Sequence, residues 1–130
     1  MIDELPEEVQ VPKLIAKIAK IIKIRGLTFY PRVFYRETPP STYLRAHEDY
    51  HWCEQKVVGR WKWLGKYIVA AVKNFLNFTD GNPFEVEAID FGSRVHAEWQ
   101  TIHPLSDMVK QELRSHYLEA LLEQFEEKYK

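Results

Sequence analysis

The sequence predicts an α+β fold, mostly helical, with a small edge sheet ahead of its second helix. Three observations carry that expectation. Most of the chain repeats apolar residues at helical spacing. One stretch, "LTFYPRVFYRE", is instead rich in β-branched and aromatic residues. Gly26, Gly59 and Gly81, with Pro39, Pro40 and Pro104, fall between these stretches, where helix ends and turns need them. With 130 residues the chain makes one domain, 1–130. Its apolar fraction of 45% and aromatic fraction of 14% suffice for a buried core and separate it from disordered chains.

In "VPKLIAKIAKIIKIRG", Leu14, Ile15, Ile18, Ile21 and Ile22 share one helical stripe, with lysines at 13, 17, 20 and 23. The expectation is a core-covering helix ended by Gly26 as its C′ residue. A basic helix lying on a membrane surface is the alternative, but the run is short and carries no aromatic anchor. "LTFYPRVFYRE" reads as one or two short strands, with Pro31 on an edge or at a bend because it lacks an N–H. "TPPST" then supplies Ser41 or Thr42 as the cap of a helix over about 42–58, closed by Gly59. A second helix over about 61–78 carries Leu64, Tyr67, Ile68, Ala71, Phe75 and Phe78 on one side, and "TDGN" is a turn. Asn82 caps the next helix, Pro83 takes its first position, and Gly92 is a weak point within it. After Pro104 a long last helix occupies about 105–128.

Bulk properties exclude several classes. A net charge of −1 gives no global attraction to nucleic acid or an anionic membrane. The single cysteine, Cys53, cannot form an internal disulfide, and no C-x-x-C exists for a thiolate zinc site. The start, "MIDELPEEVQVPK", is acidic and unlike a secretory signal. No apolar run is long enough for a membrane span. These features predict a cytoplasmic protein.

The chemistry concentrates in "AHEDYHWCEQ", where His47, Glu48 and His51 form HExxH. On a helix His47 and His51 stand one turn apart on one face, so both imidazoles can hold one Zn²⁺. Glu48 lies off that axis, close enough to take a proton from water at the metal. A catalytic zinc needs a third protein ligand. His96 and His103 offer no clear geometry, and His116 belongs to the last amphipathic helix. Glu54 lies too far along the same helix as the two histidines. A carboxylate from a second helix solves the geometry, and "NPFEVEA" offers both Glu85 and Glu87. Glu85 also has capping-box spacing from Asn82, and Glu87 reads equally as a solvated first-turn acid. Spacing alone leaves that choice open. Cys53 points away from the site and reads as a buried thiol. Trp52, Trp61, Trp63 and Trp99 read as core rather than as cleft lining.

The stretch "LRAHEDYHWCEQKVVGRWKWLGKYI", followed by "NPFEVEA", resembles a family of short HExxH proteins of bacteria and phages. They are related to the zinc-peptidase-like core domain of bacterial contractile injection systems. The resemblance extends upstream through "RGLTFYPRVFYRETPP" and covers roughly residues 5–95, leaving the last helix as an addition. It implies a minimal zincin-like domain. "PFEVEA" is also similar to the E-x-x-A element of gluzincin peptidases, whose leading glutamate binds zinc. By that likeness the third ligand is Glu85, with Ala88 permitting close helix approach. The aspartate that follows the alanine in many gluzincins is replaced by Ile89, with Asp90 displaced by one. The hydrogen-bond partner of a ligand histidine is then absent, or supplied by Asp90 or Gln55.

Two functions follow as expectations. The first is a zinc metallopeptidase with His47, His51 and Glu85 as ligands and Glu48 as general base. Its substrate is a peptide or protein, held by strand addition on the edge strand within 27–37. The second is a non-catalytic zinc-binding structural module of a phage particle or injection-type assembly. In that case the apolar side of the last helix (Leu113, Tyr117, Ala120, Leu121, Phe125) docks a protein partner or another copy. An intact Glu48 favours the enzyme, because a purely structural site has no use for it.

Overall fold

A computed structural model describes residues 4–21, 25–73 and 82–130. The fold is α+β and mostly helical, as the sequence predicts. In chain order the elements are β1 (Glu7–Gln10), α1 (Lys13–Ile21), β2 (Gly26–Phe29), β3 (Arg32–Tyr35), α2 (Thr42–Val58), α3 (Arg60–Lys73), α4 (Pro83–Gln100) and α5 (Asp107–Lys128). The strands form one sheet in the order β1-β3-β2, with β1 parallel and β2 antiparallel to β3. Pro31 sits in the turn between β2 and β3, where its missing N–H costs no ladder bond.

β1, "EEVQ", does not read as a strand from its sequence, because it has neither alternation nor apolar bulk. It is made by its partners. Glu8 accepts from Arg45 on α2 (2.9 and 3.0 Å) and from Arg114 on α5 (3.0 Å). Gly26 opens β2 instead of closing α1. A Cβ there would lie 3.2 Å from the Glu48 side chain, so the close approach to α2 selects glycine. The core-covering role expected for α1 is also corrected. None of its described residues is buried, and Leu14, Ile15, Ile18 and Ile21 are 72%, 51%, 53% and 79% exposed.

α2 is the central element, packed against α4, α5 and the sheet. Ser41 caps it by accepting from Leu44 N–H (3.1 Å), and Gly59 ends it at φ 98°, a conformation that side chains with a Cβ resist. Its buried stretch includes Glu48, Asp49, His51, Glu54 and Gln55. Buried polar groups must be partnered, so their partners define the molecule. Asp49 takes a two-pronged contact from Arg114 (2.8 and 2.8 Å) and a short hydrogen bond from Tyr117. Glu54 accepts from Trp63 Nε1 (2.7 Å) and the Tyr129 hydroxyl (2.8 Å).

These contacts tie α5 to α2, and Leu118, Leu121 and Phe125 join the core beside Tyr50, Trp52 and Cys53. Leu113 and Tyr117 pack against Ala46, Val95 and Trp99. Of the five apolar residues expected to dock a partner, four are therefore occupied within the chain. Only Ala120 is exposed. Trp52, Trp63 and Trp99 are buried as expected, whereas Trp61 is exposed and meets the Phe29 ring edge-on at 5.2 Å. The far end of the second predicted helix, with Phe75 and Phe78, and most of the "TDGN" turn lie outside the described residues. No helix among the described residues is long and apolar enough to cross a membrane.

Gly92 does not weaken α4, which runs unbroken through it. A Cβ at Gly92 would lie 2.9 Å from the Tyr43 carbonyl oxygen, so glycine is required where α4 crosses α2. Gly92→Ala is expected to cost about 1–3 kcal/mol in urea unfolding and to weaken zinc uptake, because α4 carries Glu85. Ser93→Ala, an exposed neighbour, should change neither. An unchanged Gly92→Ala unfolding midpoint would mean that the helices separate freely.

Candidate metal centre

The i,i+4 spacing on α2 brings His47 and His51 together, with ring centroids 5.0 Å apart. α4 starts at Pro83 behind the Asn82 cap, whose side chain accepts from Phe84 N–H (2.9 Å). Its first turn aims the Glu85 carboxylate at both imidazoles. His47 Nε2 lies 3.4 Å from Glu85 Oε1, and His51 Nε2 makes a short contact with the same oxygen. The side chain is thus turned to the histidines and not back to its cap. Glu87, two residues on, accepts from the Tyr50 hydroxyl (2.9 Å) and faces Lys128 (3.4 Å).

These atoms suit a small cation. One ligand atom each from His47, His51 and Glu85 falls within 4.8 Å of the others. Atoms about 2.0–2.1 Å from a tetrahedral zinc lie about 3.3–3.4 Å apart, which is the His47–Glu85 separation. The donor set of two imidazoles and one carboxylate is one that zinc accepts. The His51–Glu85 contact places an imidazole nitrogen and a carboxylate oxygen at one point, where a bound metal would take the place of a shared proton.

The two carboxylates of the site are driven in opposite directions. Burial alone would raise Glu85, but hydrogen bonds from His47 and His51 outweigh it and hold the carboxyl down at about 2. Burial raises Glu48, and the nearby histidines and a hydrogen bond from Thr28 only partly oppose it. His51 is pulled down by burial and pushed up by Glu85 and Glu48, with a net rise. An acid held as an anion suits a ligand, and one held closer to neutrality suits proton transfer. Glu48 Oε1 accepts from Thr28 Oγ1 on β2 (2.9 Å), and the Gly26 backbone closes over its carboxylate.

The structure bears on the partner of the histidines, which the sequence left as absent or as Asp90 or Gln55. Neither Asp90 nor Gln55 supports a ligand histidine. Asp90 is exposed and pairs with Arg94 (3.0 Å). The Gln55 side chain donates to Thr28 O (3.0 Å) and accepts from Tyr30 N–H (2.7 Å). The Nδ1 atoms of His47 and His51 are buried without a hydrogen-bond partner, unlike most ligand histidines. His96, His103 and His116 are exposed and away from the site. Cys53 is a buried thiol, near the Leu118 carbonyl at 3.8 Å and pushed up by burial.

The structure adds residues that spacing did not reveal. Tyr67 on α3 lies beside the Glu85 carboxylate, and burial followed by that carboxylate raises its phenol. Trp63 stacks on Tyr67 at 5.0 Å and meets the His51 ring edge-on at 5.3 Å. The only sequence signal for Thr28 was strand alternation, which puts 26 and 28 on one face of β2. Tyr67 had none, since it sits on a separate helix.

A scan of protein-family models, a search of curated proteins and a search of solved structures each find no match to the chain. The resemblance to short HExxH proteins of bacteria and phages thus rests on the motifs quoted above.

The division between Glu85 and Glu87 is open to a direct test. Glu85→Gln should weaken zinc binding at least about tenfold, or about 1.4 kcal/mol, while Glu87→Gln leaves it nearly unchanged. Isothermal titration of the two variants separates them. A zinc defect in Glu87→Gln alone would reverse the assignment.

Proposed function

We propose that the chain is a zinc-dependent metallopeptidase. The observation that carries this reading is the convergence of His47, His51 and Glu85 from two helices, with a buried Glu48 beside them and outside the ligand set. A zinc ion held by those three residues supplies the Lewis acidity that brings a water pKa down to about 7 and polarises a carbonyl.

The chain's own groups supply the rest. Glu48, oriented by Thr28, takes the proton from the attacking water and returns it to the departing amine, for which its raised pKa suits it. The Tyr67 hydroxyl beside Glu85 offers a donor to the oxygen of the polarised carbonyl. The peptide lies along β2. Arg36 N–H bonds to Arg25 O (3.0 Å), so Leu27 and Phe29 pair with β3, while Gly26 and Thr28 turn their backbone groups to the open edge. Gln55 occupies that edge at Thr28 O and Tyr30 N–H, much as a pairing strand would. What remains for an extended substrate is Gly26 and the Thr28 N–H, next to Glu48.

Elemental analysis of protein purified without added metal should find one zinc per chain. Hydrolysis of a quenched peptide library should stop on chelation and return with zinc. Absence of zinc binding at micromolar free metal would reduce HExxH to coincidence. Zinc without hydrolysis would leave the structural module of a phage particle or injection-type assembly as the reading.

A further inference from the structure

α1 is the one described helix with no buried residue, yet its apolar and basic residues are sharply divided. Leu14, Ile15, Ile18 and Ile21 are all more than half exposed. Ile15 and Ile18 continue into a cleft of about 380 Å³ between α1 and the outer face of the sheet, which Val9, Leu27 and Phe34 also line, together with Arg25 and Arg36. Leu27 is itself 58% exposed. A contiguous apolar face of this kind marks an interaction surface.

Charge selects what covers it. Residues 11–25, "VPKLIAKIAKIIKIR", carry Lys13, Lys17, Lys20, Lys23 and Arg25 and no acidic residue, in a chain of net charge −1. On α1, Lys13, Lys17 and Lys20 lie across the helix from the isoleucines, and their long stems let the ammonium groups reach back to the level at which the apolar side would enter. An anionic surface with an apolar layer beneath meets both halves of the pattern. We propose that α1 and the outer face of β2 dock on an anionic lipid surface, the isoleucines and Leu27 entering the headgroup boundary and the lysines meeting lipid phosphates and carboxylates.

The metal centre stays clear of such a surface. Thr28 faces Glu48, whereas Leu27 beside it faces the cleft on the other side of the same strand. Docking therefore leaves the centre open. A helix of nine residues without aromatic anchors gives a reversible, salt-sensitive association.

The test is co-sedimentation of the full chain with vesicles of phosphatidylcholine alone and of phosphatidylcholine mixed with phosphatidylserine. Binding is expected only to the mixed vesicles, weakening as salt rises. Ile18→Asp should weaken it at least about tenfold, and Lys17→Glu with Lys20→Glu by about fivefold for each cation removed. Zinc content and melting temperature should be unchanged in these variants, because α1 buries no side chain, so a loss of vesicle binding cannot be traced to misfolding or to the metal. Equal binding to both vesicle types, or variants that bind as the parent does, would overturn the proposal. So would a parent chain that ignores vesicles and self-associates in a manner that Ile18→Asp abolishes.

Discussion

Glu48→Gln is expected to bind zinc as tightly as the parent chain and to lose peptide hydrolysis at least about 100-fold. Glu48 is buried beside the two histidines but contributes no atom to the ligand group. Its Oε1 accepts from Thr28 Oγ1, and the carbonyl oxygen of glutamine can accept the same bond in the same volume. The fold and the ligand arrangement are therefore retained. What disappears is a group that can gain and release a proton, because an amide does neither near neutral pH. Zinc titration and single-turnover hydrolysis of the same preparation test both halves. If Glu48→Gln lost zinc as readily as His47→Ala, Glu48 would be a ligand and its assignment as base would fail.

The second large effect concerns stability. Arg114→Met is expected to cost about 3–5 kcal/mol in urea unfolding. Asp49 is fully buried and receives Arg114 through two hydrogen bonds of 2.8 Å. Methionine fills much of the arginine's volume but leaves the carboxylate with Tyr117 alone. The cost comes from that uncompensated buried charge and not from the value of the pair. The double variant Asp49→Leu with Arg114→Met should then recover most of the loss. If α5 were only an appendage that docks a partner, Arg114→Met would shift the midpoint by less than about 1 kcal/mol, and this account of α5 would fall.

Much of the site was legible in the sequence because its rules act over short distances. Two histidines four apart share a helix face whatever surrounds them. Glu85 and Glu87, two apart, must diverge, and the structure turns them to the histidines and to Tyr50 respectively. The resemblance to the E-x-x-A element pointed to Glu85, the acid that the structure turns to the histidines, where spacing alone had left a capping role open. The caps were readable for the same local reason: Ser41, Gly59, Asn82 and Pro83 act within one turn.

Where the reading failed, the deciding partner lay far along the chain. β1 forms because β3 pairs with it and because Arg45 and Arg114 neutralise Glu8, and nothing within "EEVQ" announces this. The stripe on α1 predicted burial, but periodicity states only that a helix has an apolar side. It cannot state what faces that side, and here no described residue buries it. Gly26 and Gly92 looked like a helix end and a helix flaw. At Gly92 another element comes too close for a Cβ, and at Gly26 a Cβ would press on the Glu48 side chain. Gln55, one of the partners offered for a histidine, instead holds the edge of β2. The sequence by itself determined the helices, their caps, the i,i+4 histidine pair and the neighbouring acid, since each follows from residues within a turn or two. Only the tertiary structure decided which acid meets the histidines, that Thr28 and Tyr67 join them, and that α1 lies open, because those outcomes depend on contacts between segments whose approach no local propensity encodes.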